Sequence, residues 1–198
     1  DLSYIIAPTV GGDTMDTTLE KESNKFLKEH NCSSKITKGY GMTEVTGGVA
    51  GTVDANNEIG SVGIPFVQTN ISIFEPETET ELGYGQDGEI CISGPNTMLG
   101  YYNNEQATNQ VLKIHSDGRI WVHTGDIGHI TQNGNIYVVD RLKRMIIRYD
   151  GFKIFPSIIE NVLCTHYAVE TCKVVSIPDI NHSQGKLPKA HVVLKPEF

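Results

Sequence analysis

The first sixty residues combine short apolar runs with one helical pattern, which predicts an α/β unit. The run YIIA, residues 4–7, predicts a strand. A helix is predicted over residues 16–30, with Asp13 or Asp16 as its N-cap. A second short strand then runs into the glycine-rich segment GYGMTE, residues 39–44. Because strand-helix-strand units deliver ligand loops to the carboxyl edge of a sheet, we expect such a loop here.

Between residues 60 and 140 the pattern changes to short alternating runs, which predict an antiparallel sheet or a small barrel. The predicted strands are NISIF, GEICIS, RIWVH, IGHI and NIYVV. A helix is predicted over residues 103–115. The polar, glycine-rich run TETELGYGQDGE is predicted to be an exposed loop.

After residue 140 the pattern is β-β-α-β-β, which predicts a small α+β unit. Strands are predicted at RMIIRY, GFKIF, TCKVVSIP and AHVVLK. Pro156 is expected at the start of the helix, where its fixed backbone angle suits the first turn. Four apolar residues fall on one face of this predicted helix: Ile158, Ile159, Val162 and Leu163.

The composition limits the class of protein. The 198 residues are 38% hydrophobic, which is ordinary for a chain with a packed core. The net charge of -8 and a pI near 5.3 argue against a nucleic-acid-binding or anionic-membrane surface, since both need accumulated positive charge. The four cysteines contain no C-x-x-C pair, so we expect buried intracellular thiols instead of a zinc site or a disulfide framework.

The sequence gives no sign of membrane insertion or export. Apolar runs are all shorter than a membrane span, and no basic and apolar leader precedes the first predicted strand. We therefore expect a soluble, cytoplasmic protein. Because the chain opens at Asp1 without an initiator Met and runs almost at once into that strand, we also expect it to be a piece of a longer protein.

The most informative segment for function is 124–156. Asp126 is expected in a glycine-flanked turn after RIWVH, and the strand NIYVV delivers Asp140 and Arg141 at its end. Carboxylates so placed can accept paired hydrogen bonds from vicinal hydroxyls, and Arg offers a rigid fork to phosphate or carboxylate. This combination indicates a nucleotide.

Structural alternatives stay open for the same segment. TGD is a common turn tripeptide, so Asp126 could simply receive backbone hydrogen bonds. His123 and His129 flank it without a partner at metal-ligand spacing, and we expect each ring to be satisfied within a strand. A solvated strand face is the alternative for the basic residues of this segment: Arg141, Lys143, Arg144, Arg148 and Lys153.

Three glycine-containing segments are candidates for ligand contact. In GYGMTE the glycines allow close backbone approach, Tyr40 offers a ring for stacking on a base, Thr43 a hydroxyl for phosphate, and Glu44 a carboxylate for Mg²⁺. The alternative for this hexapeptide is a tight turn ending in a helix cap. The glycine pair at 11–12 suits any strand-to-helix turn. Gly151 suits a hairpin, although hairpin loops often carry ligand contacts.

Taken in order, these segments resemble the adenylate-forming superfamily, which includes acyl-CoA synthetases, adenylation domains of peptide synthetases and firefly luciferase. The similarity extends over nearly the whole chain. It rests on GG at 11–12, GYGMTE at 39–44, SVGIP at 61–65, GEICISGPNTMLGYY at 88–102, TGD at 124–126, DRLKRMIIRYDGFKIFPSIIE at 140–160 and PKAHVVLK at 188–195.

The resemblance implies a fold made of α/β and α+β parts. The end of a large N-terminal domain, with an α/β unit and an antiparallel β-barrel-like subdomain, would be followed by part of a small α+β C-terminal domain. The α/β part would occupy 1–60 and the antiparallel part 61–140. The hinge and the partial C-terminal domain would occupy 141–198.

The resemblance also implies an AMP-forming ligase. A carboxylic acid, fatty or other organic, is activated with ATP and Mg²⁺ to an acyl-adenylate, and the acyl group then passes to CoA. Thr43 is implied to contact the α-phosphate and Glu44 to serve the metal, both as catalytic residues. The implied cofactor-binding residues are Gly12, Gly39, Tyr40, Gly41, Met42, Asp126, Arg141, Lys143 and Gly151.

Several of these implied roles are specific. Gly39 to Met42 would line the adenine and acyl pocket. Asp126 would hold the ribose hydroxyls with Arg141 beside it, Lys143 would lie at the interdomain hinge, and Gly151 on the loop that lines the pantetheine channel. This chain has Asp150 before Gly151, where the family often has Gly or Lys.

Two parts that the family carries are not in these residues: an upstream Ser/Thr/Gly-rich phosphate loop with its lysine, and a late lysine that contacts the acyl carboxylate. We therefore expect the 198 residues alone to be inactive. Two alternatives to a CoA ligase are an adenylation domain that loads a carrier protein and a catalytically silent nucleotide-binding module.

Overall fold

The computed structural model describes residues 1–12 and 15–198. The helices in this part are α1 (Thr17–Glu29), α2 (Glu105–Val111) and α3 (Pro156–Cys164). The strands up to residue 114 are β1 (Thr9–Val10), β2 (Thr37–Met42), β3 (Gly47–Gly51), β4 (Ile64–Pro65), β5 (Asn70–Phe74), β6 (Gly88–Ser93) and β7 (Leu112–Ile114). The later strands are β8 (Ile120–Ile130), β9 (Ile136–Arg141), β10 (Ile146–Ile147), β11 (Lys153–Ile154), β12 (Val169–Pro178) and β13 (Lys186–Leu194).

The chain forms two compact units. The first contains residues 1–124 and 128–138, and the second contains 125–127 and 139–198. The predicted combination of α/β and α+β parts is confirmed, whereas the three-part division at residues 60 and 140 stays a prediction. Among the described residues there is no helix with the length and apolar character that crossing a membrane requires.

In the first unit, a four-stranded sheet has the order β1-β2-β3-β4. β1 and β2 are parallel and are connected through α1, as the α/β pattern predicts. Asp16 is the N-cap of α1, since its carboxylate accepts hydrogen bonds from the backbone N–H groups of Thr18 at 2.7 Å and Leu19 at 3.1 Å. Asp13, the other candidate cap, lies outside the described residues.

The prediction of a strand at residues 4–7 is wrong, because the first strand begins later, at Thr9. Tyr4 and Ile6 are largely exposed. The Ile6 carbonyl accepts a hydrogen bond from the Ser34 hydroxyl at 2.6 Å, in place of a backbone ladder. An apolar run of this length does not specify whether a partner strand is available.

The second sheet of the first unit has the order β5-β6-β8-β7, with β9 also paired to β8. NISIF and GEICIS form β5 and β6 with the predicted bounds. The prediction of separate strands at RIWVH and IGHI is wrong, because β8 continues through TGD, where Gly125 adopts a left-handed φ of 69°. Asp126 therefore lies within a strand and not in the predicted turn.

The helix predicted over residues 103–115 is shorter than expected. Asn104 caps α2 by accepting a hydrogen bond from the Ala107 N–H at 3.0 Å, and the helix ends at Val111. The next three residues form β7, which pairs with β8 in an antiparallel register. Pairing with a long neighbouring strand has overridden the helical pattern.

Both sheets of the first unit contribute to one apolar core. Its buried members are Val45, Val49, Ala50, Ile71, Ile73, Ile90, Ile92, Val122 and Ile136. Burying side chains of this size stabilises the fold by roughly 1.5–3 kcal/mol each.

All six residues of β6 are buried, so its second face is also covered. On this face His123 Nδ1 lies 2.9 Å from Glu89 Oε2, and His123 Nε2 lies 2.9 Å from His115 Nε2. The expected satisfied ring of His123 is thus found. The ligating atoms of Glu89, Cys91 and His123 lie within 4.8 Å of one another. Because Glu89 and His115 already occupy both ring nitrogens of His123, we interpret the cluster as a hydrogen-bonded network.

In the second unit, β10 and β11 form an antiparallel hairpin, α3 follows, and β12 pairs antiparallel with β13. The predicted β-β-α-β-β order and the start of α3 at Pro156 are confirmed. Ile158 and Val162 are exposed, whereas Glu160 is buried on the same helix. The apolar face predicted for α3 is therefore buried only in part, because Ile159 and Leu163 on it are half-buried.

We expect acid to destabilise the first unit through His115. Burial is the main cause that lowers the pKa of His115 below its usual value of 6.5, and electrostatic repulsion from the nearby His123 adds to it. The unfolded chain then binds more protons below pH 6.5, so stability should fall as pH falls from about 6.5, by up to about 1.4 kcal/mol per pH unit.

His115→Asn should flatten this pH dependence, because it removes the titrating ring. The measurement is the urea midpoint of the 198-residue chain between about pH 5 and 7.5, followed by the fluorescence of its single tryptophan, Trp121. Exposed His191→Asn is the control and should keep the slope of the unsubstituted chain. Equal slopes in the unsubstituted and His115→Asn chains would contradict the prediction.

Candidate nucleotide site

The segment from Gly39 to Glu44 forms the end of β2 and the start of a 3₁₀ turn at Thr43–Val45. The chain then returns along β3, so the segment is a tight hairpin. A Cβ atom on Gly41 would lie 2.0 Å from the Gly47 carbonyl oxygen. Only glycine fits this approach of the two strands, and the backbone of the segment is therefore fixed by local packing.

The structure places the glycine pair at 11–12 beside this segment. In the parallel pairing of β1 and β2, Val10 lies opposite Lys38. A Cβ atom on Gly11 would lie 4.0 Å from the Gly39 carbonyl oxygen, and Gly12 follows with a left-handed φ of 88°. Two segments that the sequence singled out separately therefore share one edge of the four-stranded sheet.

The side chains of this segment have different surroundings. Tyr40 and Met42 are half-buried and pack against the apolar core of the first unit. Thr43 is exposed. The stacking of Tyr40 on a base and the contact of Thr43 with phosphate stay predictions.

The carboxylate of Glu44 is held by a tyrosine that the sequence reasoning missed. Tyr101 donates its hydroxyl hydrogen to Glu44 Oε1 at 2.5 Å, and the Met98 N–H donates to the Glu44 carbonyl at 2.8 Å. The bond to Glu44 raises the pKa of Tyr101, with burial adding to the shift. Tyr101 belongs to the GYY triplet that ends the 88–102 motif, which was the only signal available in the sequence.

Glu44 is suited to hold Mg²⁺. It is a half-buried carboxylate whose Oε1 is oriented by the hydroxyl of Tyr101. Mg²⁺ in phosphate-transfer sites is commonly held by one or two carboxylates together with the substrate phosphates. The residues present fit that role.

In the second unit, Asp126 and Arg141 form an ion pair. Arg141 Nε lies 2.9 Å from Asp126 Oδ1. The Asp126 side chain is 8% exposed, whereas that of Arg141 is 64% exposed. The structure therefore brings together the two residues that the sequence placed on neighbouring strands, with the carboxylate inside and the guanidinium largely in solvent.

Asp140, the second carboxylate of that segment, is used internally. Its Oδ1 accepts hydrogen bonds from the Arg141 backbone N–H at 2.8 Å and from Arg144 at 3.1 Å. Its Oδ2 accepts from the Ser157 N–H at 2.9 Å, in the first turn of α3. The hypothesis that Asp140 receives ligand hydroxyls is thus replaced by a structural role.

The basic residues that follow do not form a uniform solvated face. Arg144 is half-buried and reaches Glu160 at 2.6 Å in addition to Asp140. Arg148 pairs with Asp150, and that hydrogen bond holds the pKa of Asp150 at about 2. Lys143 is exposed, so the solvated-face alternative applies to it.

Gly151 lies in the loop of the β10–β11 hairpin with a left-handed φ of 81°. The Gly151 N–H donates to the Arg148 carbonyl at 2.9 Å, and the Arg148 N–H donates to the Phe152 carbonyl at 3.0 Å. The backbone of Gly151 therefore has the hairpin conformation that the structural alternative predicts. Contact of Gly151 with a ligand stays a prediction.

Comparison with known proteins gives the family. The family model described as AMP-binding enzyme matches residues 5–102. A 4-coumarate-CoA ligase of Narcissus pseudonarcissus is 38% identical over 98% of this chain and 34% of its own length. The luciferin 4-monooxygenase of Photinus pyralis is 34% identical over the same shares. The chain belongs to the AMP-binding enzyme family.

Solved structures agree with this family assignment. The o-succinylbenzoate CoA synthetase of Bacillus subtilis, in complex with ATP and a magnesium ion, superposes on this chain with a TM-score of 0.76 and 30% identity. The match covers 96% of this chain and 36% of that one. The chain therefore spans about a third of the length of the relatives it matches.

We expect Tyr101→Phe to destabilise the first unit by about 1–2 kcal/mol, because the half-buried Tyr101 hydroxyl loses its hydrogen bond to the Glu44 carboxylate. The measurement is urea unfolding followed by Trp121 fluorescence. The matched control is Tyr102→Phe, since Tyr102 is 93% exposed and should change stability by less than about 0.5 kcal/mol. Equal effects of the two substitutions would contradict the role given to Tyr101.

Proposed function

We propose that this chain is part of an AMP-forming acid-thiol ligase, which activates a carboxylic acid with ATP and transfers the acyl group to CoA. The observation that carries the proposal is the Asp126–Arg141 ion pair on two paired strands. Relatives named as CoA ligases, and a solved neighbour holding ATP and magnesium, support it.

In the second unit, Asp126 is proposed to accept hydrogen bonds from the ribose hydroxyls. A carboxylate this buried loses little orientation when it binds, because Arg141 already fixes one of its oxygens. Arg141 has further N–H donors on an exposed guanidinium, which suits contact with a nucleotide phosphate or hydroxyl. The pair would thereby set the position of the sugar.

In the first unit, Glu44 is proposed to hold Mg²⁺ and Thr43 to donate its hydroxyl to the α-phosphate. Tyr101 acts on the metal ligand indirectly, by fixing Glu44 Oε1. Mg²⁺, when bound, supplies neutralising charge to the phosphates as the acid carboxylate attacks and pyrophosphate leaves. Backbone groups of Gly12 and of the segment 39–42 are proposed to contact the nucleotide.

Two exposed positions of the second unit complete the proposal. Lys143 is proposed as the hinge residue of the whole enzyme, and it lies in a short 3₁₀ turn whose dihedral angles can change without breaking a long helix. Gly151 is proposed to approach the pantetheine arm of CoA, because the hairpin loop exposes its backbone.

The direct test uses the full-length protein that contains this chain. It should form AMP and an acyl-CoA from ATP, Mg²⁺, CoA and at least one member of a panel of carboxylic acids that includes 4-coumarate. Formation of the acyl-adenylate without transfer to CoA would favour the carrier-loading alternative. Absence of AMP over the whole panel, with ATP still bound, would favour the silent binding module.

Asp126→Ala in the full-length protein should weaken ATP binding by about 10- to 100-fold, the loss expected for one or two hydrogen bonds to a charged group. Calorimetric titration with ATP in the presence of Mg²⁺ measures this effect. Asp87→Ala, which removes an exposed carboxylate paired with His129, is the control and should leave ATP binding unchanged. Unaltered binding in Asp126→Ala would remove this residue from the site.

We also expect the 198 residues alone to catalyse no acid-dependent exchange between ATP and pyrophosphate. The chain covers about a third of its relatives, and the phosphate loop and late lysine implied by the resemblance lie outside it. Exchange measured with labelled pyrophosphate over the same acid panel is the test. Exchange above the no-acid background would contradict this expectation.

A further inference from the structure

The last residue of α3, Cys164, places its thiol against that of Cys172 on β12. The two sulfur atoms lie 3.6 Å apart. Cys164 is exposed, which corrects the expectation that every cysteine is buried, whereas Cys172 is 5% exposed. The other two cysteines, Cys32 and Cys91, are buried in the first unit.

We propose that Cys164 and Cys172 form an oxidation-sensitive dithiol, which small-molecule disulfides such as oxidised glutathione convert reversibly into an intramolecular disulfide. The inference rests on the contact of an accessible thiol with a sheltered one and uses no part of the proposed ligase function. A disulfide requires a sulfur-sulfur distance of about 2.05 Å, so side-chain rotation must close a gap of roughly 1.5 Å.

The surroundings keep the two sulfur atoms within reach of each other. Cys172 Sγ lies 3.4 Å from the Glu160 carbonyl oxygen, one helical turn before Cys164. The Glu160 carboxylate accepts a hydrogen bond from the Val174 N–H of β12 at 2.8 Å. Arg144 binds the same carboxylate at 2.6 Å. Because the bonds from Cys172 and Val174 fasten Glu160 to β12 one helical turn before Cys164, the helix end stays next to Cys172.

The exposure of the two thiols gives them different roles. Cys164 is the accessible one, and its thiolate would attack one sulfur of the small disulfide, forming a mixed disulfide and releasing one thiolate. Burial, as the larger cause, and the hydrogen bond with Cys164, as the smaller one, raise the pKa of Cys172 to about 11. Cys172 therefore stays a protonated thiol until the mixed disulfide has formed on Cys164. Cys172 would next lose its proton and attack Cys164 Sγ, which releases the second small thiol.

The chemistry balances without another reactant. One small disulfide is reduced to two thiols while two protein thiols become one disulfide. Dithiothreitol should reverse the reaction by the same route. The pair is therefore a modification site whose ligand class is the low-molecular-weight disulfide.

The test treats the reduced full-length protein with oxidised glutathione and then measures free thiols, intact mass and the peptide map. We expect loss of two thiols, a mass lower by two hydrogens, and a peptide cross-link between Cys164 and Cys172 that dithiothreitol removes. Cys32 and Cys91 provide internal controls in the same digest and should stay reduced, because both are buried.

Two variants separate the roles of the thiols. Cys172→Ser should accumulate a stable glutathione adduct on Cys164, and Cys164→Ser should show no reaction at Cys172. A lasting adduct on Cys164 in the unsubstituted protein, a cross-link between two molecules, or no reaction of either thiol would overturn the proposal. If a variant fails to fold, as judged by circular dichroism, the peptide map of the unsubstituted protein still decides.

Discussion

The buried carboxylate of Asp140 is the interaction on which the second unit depends. It accepts hydrogen bonds from three donors that come from β9, from the adjoining 3₁₀ turn and from the first turn of α3. The Ser157 hydroxyl returns a bond to the Val139 carbonyl at 2.6 Å. An unpaired buried charge costs several kcal/mol, so these contacts must form together. Arg141 is directed towards Asp126 as part of the same arrangement.

This charge network extends along α3 and explains its unusual packing. Arg144 connects Asp140 to Glu160, and Glu160 accepts the backbone N–H of Val174 on β12. Hydrogen bonds to a buried carboxylate therefore help to attach the helix to its strand, while Ile158 and Val162 stay exposed. Asp126 and Asp140 differ for the same reason. Asp140 is enclosed by internal donors, whereas Asp126 faces a guanidinium that reaches solvent.

Features set by neighbouring residues could be predicted. The Asp16 cap, the start of α3 at Pro156 and the strand bounds of β5 and β6 all follow from local backbone chemistry or a local pattern. The errors lie where a distant strand decided the outcome. Residues 112–114 pair with β8 instead of continuing the predicted helix. β8 continues through TGD because Gly125 can adopt a left-handed φ angle.

The sequence by itself determined the order of the motifs, the family and the candidate residues, because these depend on residue identity and spacing. Tertiary structure alone decided the partners of carboxylates that are paired with residues far along the chain. Tyr101 meets Glu44 across 57 residues of chain, and Glu89 meets His123 across 34. Such pairings join residues that are distant in the chain, and no local periodicity encodes them.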